Sequence, residues 1–175
     1  MDFVLNRIPR TDFDIFVDAS TSWGVGGCCG RYFFATPWTE LEEIPAEFIA
    51  QKELLACLLA LFCFGHLFKG KYVKLHTDND NTYHWLRKGR SVNETGTKFL
   101  AIWEFGKYLL ECKVSPRWIP SEKNVTADSL SRGTVPEWLQ RRGCERIVSQ
   151  GVKKILSLSP IETWKRINQL KEVEL

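Results

Sequence analysis

The chain has 175 residues, of which 44% are hydrophobic and 26% charged, a composition that excludes a disordered protein and allows one domain with a full core. The net charge is +3 and lies in the C-terminal part: residues 1–133 contain 16 basic and 16 acidic residues, whereas residues 134–175 contain 8 and 5. This basic part could contact nucleic acid, and a solvated helical face is an equally good interpretation.

Membrane insertion and secretion are both disfavoured by the sequence. The most apolar stretch, Leu54–Phe64, is too short to cross a bilayer, and the N-terminus lacks the apolar segment of a signal peptide. No two cysteines have the C-x-x-C spacing of a zinc or redox motif. We therefore predict an intracellular protein, cytoplasmic or nuclear, with reduced and mostly buried cysteines: Cys28, Cys29, Cys57, Cys63, Cys112 and Cys144.

Five short segments have the composition of β-strands. They are rich in β-branched and aromatic residues, and turn-forming residues or glycines separate the first three. Pro116 indicates that the last strand lies at a sheet edge, because proline cannot donate a backbone hydrogen bond. The predicted strands are Phe13–Asp18, Trp23–Cys29, Arg31–Thr36, Lys71–Thr77 and Val114–Ile119.

Helical patterns alternate with these strands. The longest begins at Pro45 and continues to Phe62, and it is apolar nearly all round, which is typical of a buried helix. The other predicted helices are Asn79–Lys88, Thr95–Lys113, Asn124–Arg132, Val135–Gly143 and one that starts at Ser159.

This order of elements predicts an α/β fold. Hairpins mixed with helical crossovers favour a five-stranded mixed sheet with helices on both faces. We assign this sheet domain to residues 1–133. Residues 134–175 are expected to form a helical C-terminal extension that packs on the domain or docks on a partner.

Four acidic residues occupy positions that suggest a metal site. Asp18 and Asp78 each end a strand, Glu53 lies inside an apolar helix, and Asp128 lies in the first turn of a later helix. Buried or adjacent carboxylates are unfavourable unless a cation neutralises them, and Mg²⁺ prefers oxygen ligands. The acids therefore predict a site for two Mg²⁺ ions, for which Mn²⁺ could substitute, of the kind that supports displacement at phosphorus.

Four segments around these acids resemble a known family: DIFVDASTSWGVGG, KELLA, KLHTDNDNTYHWLRKGRS and WIPSEKNVTADSLSR. Over residues 12–133 they resemble the ribonuclease H domain of retrotransposon reverse transcriptases, of LTR type or tyrosine-recombinase type. The resemblance implies a ribonuclease H-like fold and places Asp18, Glu53, Asp78 and Asp128 on the family's four catalytic, metal-binding acids. It implies two-metal hydrolysis of the RNA strand of RNA–DNA hybrids.

The positions of the acids separate this chain from other members of the superfamily. Proofreading-type exonucleases carry D-x-E on the first strand, whereas Ser20 stands at that position here. Integrases and transposases place their glutamate last, whereas Glu53 comes second. The loop Ile119–Asn124 lacks the histidine that assists turnover in many cellular relatives, which predicts slower product release rather than inactivity.

The resemblance also implies contacts to the hybrid, whose 2′-hydroxyls are read across a shallow minor groove. Ser20 and Asn79, which follow catalytic acids, are the predicted polar contacts to substrate. Lys88 and Arg90, on either side of a glycine, are the predicted phosphate contacts. Besides the hybrid, the expected partner is a reverse-transcriptase polymerase domain, or another protein bound through the extension.

Other interpretations remain compatible with the sequence. Asp18 could be a turn former, and Asp78 could cap the helix that follows it. Asp128 could interact favourably with the helix dipole, and the Glu53 side chain could reach the surface. The chain could be a domesticated ribonuclease H-like module that binds nucleic acid or assembles with protein without turnover. It could also be a nuclease with another substrate, such as double-stranded RNA or structured DNA.

Overall fold

A mixed β-sheet forms the centre of the protein, in a computed structural model that describes residues 11–41, 51–91, 93–139, 141–142 and 159–165. The strands are β1 Phe13–Ala19, β2 Gly24–Cys29, β3 Tyr32–Pro37, β4 Tyr72–Thr77, β5 Lys113–Trp118 and β6 Arg141–Arg142. Across the sheet they follow the order β5-β4-β1-β2-β3-β6.

The strand directions confirm the predicted fold class. Strands β1, β2 and β3 form an antiparallel meander, and β4 and β5 continue the sheet in parallel on the other side of β1. This five-stranded mixed sheet, with β5 at its edge, is consistent with a ribonuclease H-like fold at the level of coarse architecture. The two-residue β6, which pairs in parallel with β3, was not predicted.

Four α-helices accompany the sheet in the described residues before 134: α1 Lys52–Phe64, α2 Asp80–Lys88, α3 Glu94–Leu110 and α4 Val125–Ser131. Asparagine side chains cap two of them, since Asn79 accepts a hydrogen bond from the N–H of Thr82 at 2.8 Å and Asn93 accepts one from Gly96 at 2.7 Å. Helix α2 ends at Gly89, whose φ of 71° is the left-handed conformation that glycine tolerates.

Helices cover both faces of the sheet, as predicted. On one face α1 packs with α3, and α1 is buried along its apolar length from Leu54 to Phe64. On the other face α4 packs on the sheet, where Leu130 and Cys28 belong to the same buried cluster. This close approach requires Gly26, because a Cβ there would lie 2.5 Å from the Cβ of Leu130.

Two sequence predictions about helices are wrong. Helix α3 ends at Leu110 rather than Lys113, because Glu111 adopts a left-handed conformation with φ of 52° and Lys113 begins β5. The predicted helix Val135–Gly143 does not form over its described residues. Leu139 is instead buried in the cluster on the α4 face of the sheet, and residues 141–142 extend as β6.

The C-terminal extension contributes a short helix at residues 160–165. Its predicted start is confirmed, because the hydroxyl of Ser159 accepts a hydrogen bond from the N–H of Glu162 at 3.2 Å and the Glu162 carboxylate accepts one from the N–H of Ser159 at 3.4 Å. Trp164 is buried in the core and donates its indole N–H to the carbonyl of Ile102 at 2.8 Å.

Five of the six cysteines fall within the described residues, and all five are buried and form no disulfide, as predicted. Cys144 and the predicted helix start at Pro45 lie outside the described residues. None of the described helices is long and apolar enough to cross a membrane. The division of the chain into residues 1–133 and 134–175 stays a prediction.

Candidate metal centre

Two of the predicted acids lie at neighbouring strand ends. Strands β1 and β4 are adjacent and parallel, so their carboxyl ends meet at the same edge of the sheet. Asp18 is the penultimate residue of β1, and Asp78 follows the last residue of β4. The sheet therefore brings the two carboxylates together, as the sequence predicted.

Glu53 joins them from α1. It is the second residue of this helix, which packs across β1, and its Oε1 accepts a hydrogen bond from the N–H of Ala19 at 3.3 Å. One carboxylate oxygen from each of Asp18, Glu53 and Asp78 lies within 4.8 Å of the others, a group that could hold a metal ion. We call these three residues the acid triad.

The electrostatics of the acid triad oppose its full ionisation. Burial, followed by the charges of Asp18 and Asp78, raises the pKa of Glu53 from 4.5 to about 9. Burial and the charge of Asp78 also raise the pKa of Asp18 from 3.8 to about 7. The Oε2 atom of Glu53 is buried and has no hydrogen-bond donor, and Glu53 and Asp18 can hydrogen bond to each other only while one of the two carboxyl groups holds a proton.

A cation fits these groups better than solvent does. Three carboxylate oxygens converge, and a buried Glu53 oxygen has no donor. A divalent ion with a preference for oxygen would neutralise the repulsion and give that oxygen a partner. Either Mg²⁺ or Mn²⁺ meets this description.

The fourth predicted acid, Asp128, lies near the acid triad and is not part of it. It is on α4, close enough for its charge to contribute to the raised pKa of Asp18. Its Oδ1 pairs with the Nε of Arg132, one helical turn later, at 3.1 Å. The structure therefore brings three of the four acids together, and it places the fourth in an ion pair on α4.

Ser20 and Asn79, the predicted polar contacts to substrate, are both used within the protein. The Ser20 hydroxyl donates to the main-chain carbonyl of Ser131 at 2.6 Å and accepts hydrogen bonds from the N–H groups of Trp23 and Gly24. Asn79 caps α2 through its side-chain oxygen, and this cap leaves the side-chain NH₂ unused. Both residues lie beside acids of the triad, as the sequence order requires.

Lys88 and Arg90, the predicted phosphate contacts, are exposed at the C-terminal end of α2. They flank Gly89, whose left-handed conformation turns the chain away from the helix. Helix α2 begins two residues after Asp78, so the two basic residues lie at the opposite end of this helix from the acid triad. The structure does not bring them into the acid cluster.

Three residues that the sequence did not single out support the site. The Ser131 hydroxyl contacts Asp18, the Asn124 side chain donates to the carbonyl of Val17 at 2.9 Å, and the Trp118 indole donates to the carbonyl of Asp78 at 3.2 Å. Ser131 and Asp18 are 113 positions apart. No periodicity or spacing in the sequence could have indicated a contact of this kind.

A separate cleft of about 630 Å³ lies beside the N-terminal half of β1 and the loop before α4. Phe16, Asn124, Val125 and Trp138 are among its lining residues, and none of the four acids is. The cleft and the acid triad are therefore different features of the surface.

Comparisons with known proteins add nothing to this picture, because no family model, curated protein or solved structure matches the chain. A relationship to ribonuclease H therefore stays a prediction, which rests on the sequence resemblance and is consistent with the coarse architecture of the sheet.

Proposed function

We propose that the chain is a metal-dependent nuclease that hydrolyses the RNA strand of RNA–DNA hybrids. The observation that carries the proposal is the acid triad, in which three carboxylates on three different elements place oxygens within 4.8 Å of one another. Such a cluster is unfavourable without a cation, because Glu53 and Asp18 resist ionisation side by side.

Each acid has a role in this proposal. Asp18, Glu53 and Asp78 would hold one Mg²⁺, and Asp18 together with Asp128 would hold a second after Arg132 releases Asp128. When bound, the two ions supply an activated water and stabilise the charge on the leaving oxygen of an in-line displacement at phosphorus. The protein contributes the fixed positions of the carboxylates.

The choice of a hybrid substrate rests on the sequence resemblance. Recognition of RNA requires polar contacts to 2′-hydroxyls, and the side-chain NH₂ of Asn79 is a donor beside the acid triad. The exposed Lys88 and Arg90 would bind backbone phosphates farther along the duplex. A reverse-transcriptase polymerase domain is the protein partner that fits this function, with the C-terminal extension as a second docking element.

A second candidate function is nucleic-acid binding or protein assembly without turnover. The ion pair between Asp128 and Arg132 favours it, because an acid paired with arginine is less available to a metal. The acid triad opposes it, because unused clustered carboxylates destabilise a fold.

The experiment is a cleavage assay on an RNA–DNA hybrid whose two strands carry different labels, with Mg²⁺, with Mn²⁺ and with a chelator. We expect cleavage of the RNA strand alone, only with metal, and a loss of at least about 10³-fold in Asp18→Asn. Glu104→Gln is the matched control, because it also turns a carboxylate into an amide, at a surface ion pair with Lys107.

The outcomes separate the candidates. A folded wild-type protein that binds hybrid and never cleaves it would favour the binding module. Cleavage of double-stranded RNA or structured DNA in preference to hybrid would keep the metal chemistry and change the substrate. Wild-type activity in Asp18→Asn would contradict the proposed site.

A further inference from the structure

We propose that Ser131, on the last turn of α4, is a positioning residue that sets the orientation of the Asp18 carboxylate for metal binding. The inference rests on the proposed metal centre and concerns a residue that does not itself bind the ion. It gives α4, which carries Asp128 in its first turn, a second function at its C-terminal end.

Protein atoms enclose the Ser131 hydroxyl. The side chain is completely buried, and its oxygen lies 3.1 Å from Oδ2 of Asp18 and 2.8 Å from the main-chain carbonyl of Asp128. A hydroxyl has one hydrogen, so these two acceptors share a single donor. The serine thus connects one acid of the triad to the helix turn that carries the fourth acid.

The position of Ser131 is itself fixed by the turn that follows β1. Its carbonyl accepts the Ser20 hydroxyl at 2.6 Å, and Ser20 is two residues beyond Asp18. At the other end of α4, Asn124 donates to the carbonyl of Val17, the residue before Asp18. Helix α4 is therefore joined to β1 on both sides of the acid, and Ser131 contacts the acid directly.

A carboxylate with one oxygen held by a buried donor cannot rotate freely about its Cβ–Cγ bond. The Ser131 contact to Oδ2 thereby holds the Asp18 carboxylate in the orientation that places one of its oxygens within 4.8 Å of oxygens of Glu53 and Asp78. Groups that orient metal ligands in this way typically change metal affinity or activity by about 10–100-fold when removed. Mg²⁺ should be the more sensitive ion, since it demands near-ideal octahedral geometry.

A purely structural role for Ser131 makes a different prediction. A serine near a helix end that bonds to the carbonyl three residues earlier can simply satisfy that carbonyl. Its loss would then lower the stability of the fold and leave metal affinity unchanged. Metal binding in the absence of substrate distinguishes the two roles.

The test compares four proteins: wild type, Ser131→Ala, Ser131→Thr and Ser129→Ala. The threonine variant keeps the hydroxyl, and Ser129 is a half-buried serine on the same helix that serves as the matched control. Mg²⁺ and Mn²⁺ affinities are measured by titration calorimetry on the full chain without nucleic acid. Then kcat and KM are measured on an RNA–DNA hybrid.

For Ser131→Ala we expect Mg²⁺ affinity and kcat each to fall roughly 10-fold, Mn²⁺ affinity to fall less, and the KM for hybrid to stay unchanged. Ser131→Thr should restore most of the Mg²⁺ affinity, and Ser129→Ala should match wild type. Mg²⁺ affinity and kcat in folded Ser131→Ala equal to those of wild type would overturn the inference.

Two further results keep the inference separate from the proposed function. If wild type binds Mg²⁺ and never cleaves hybrid, the proposed nuclease fails, and the Mg²⁺ affinities still decide the role of Ser131. If Ser131→Ala does not fold, Ser131→Cys provides a residue of similar size with a weak donor. Unchanged Mg²⁺ affinity in that variant would contradict the inference, and a loss would support it.

Discussion

Glu53 of the acid triad has a pKa far above its ordinary value. Burial and the two neighbouring aspartates raise its pKa to about 9, so at neutral pH without metal it holds a proton or carries an unfavourable charge. The ordinary value of 4.5 applies in the unfolded chain. Because the pKa of Glu53 differs between the folded and the unfolded chain, the stability of the metal-free fold depends on pH.

In a chelator, we predict that the free energy of unfolding decreases as pH rises from about 4 to about 9. Between these values the folded protein keeps the Glu53 proton that the unfolded chain has already released, so rising pH favours unfolding. Asp18 acts in the same direction up to about 7. Thermal unfolding midpoints across this pH range measure the effect, and Mg²⁺ should reduce it.

The control for this prediction is Glu53→Gln, which removes the titrating group and keeps the shape of the side chain. At pH about 8 in chelator it should melt several degrees higher than wild type, because the folded variant no longer holds an unfavourably placed carboxyl group. In a domain of this size, about 1 kcal/mol in the free energy of unfolding corresponds to about 2–4 °C. Parallel pH profiles for wild type and Glu53→Gln would show that Glu53 does not set the pH dependence.

In the proposed metal centre, Arg132 would compete with the second metal for Asp128. In Arg132→Gln the carboxylate is no longer paired, so we predict that the Mg²⁺ concentration for half-maximal cleavage falls by up to about fivefold. The pair is exposed and screened by salt, so the difference should shrink at high ionic strength. A higher Mg²⁺ requirement in the variant would assign Arg132 to substrate binding instead.

At the residue scale, the sequence predicted the three acids that the structure brings together and could not predict their partners. Asp18, Glu53 and Asp78 were identifiable because each breaks a local pattern, at a strand end or within an apolar helix. The Asp128–Arg132 pair follows the four-residue spacing of a helix and was accessible to sequence reasoning. The Ser131 contact depends on how α4 packs against β1, which no local pattern encodes.

At the scale of elements, the short helix at residues 160–165 is part of the core rather than a separate surface feature. The Trp164 ring lies against Phe62 of α1 and occupies the space beside Gly106 of α3. A Cβ on Gly106 would lie 2.0 Å from this ring. The glycine and the tryptophan are therefore complementary in shape.

This complementarity predicts a strong coupling between two substitutions. Trp164→Ala should destabilise the fold by about 3–5 kcal/mol, and Gly106→Ala alone by about 1–3 kcal/mol through overpacking. With the ring absent, Gly106→Ala should be neutral or stabilising, because alanine favours a helix over glycine. Chemical denaturation of the two single variants and the double variant measures the coupling, and additive effects would contradict the packing.

The elements themselves were largely predictable because strand composition and helical periodicity agree with their burial. The alternation in β1 and the apolar α1 both correspond to faces that the fold buries. Local pattern failed at residues 135–139 and 141–142, where burial of Leu139 and pairing with β3 override a helical spacing. It also failed at Glu111, whose left-handed conformation ends α3 early.

At the scale of the whole molecule, the sheet order explains why acids distant in sequence meet. The meander places β1 at the centre of the sheet, β4 pairs with it in parallel, and α1 packs across β1. Asp18, Asp78 and Glu53 therefore converge at one edge of the sheet. The sequence predicted a mixed sheet with helices on both faces, without the strand order. Order depends on which strands pair, a property of the folded chain rather than of any segment.

Mn²⁺ titration calorimetry on wild type, Glu53→Gln and Glu104→Gln tests most directly whether the acid triad binds a divalent metal. We predict that wild type and Glu104→Gln bind Mn²⁺ equally, and that Glu53→Gln binds Mn²⁺ at least roughly 10-fold more weakly. Removal of a group that only orients a metal ligand typically weakens metal binding by this factor, and Glu53 is proposed to be a ligand itself. Equal Mn²⁺ affinity in all three proteins, or no binding by wild type, would contradict the account.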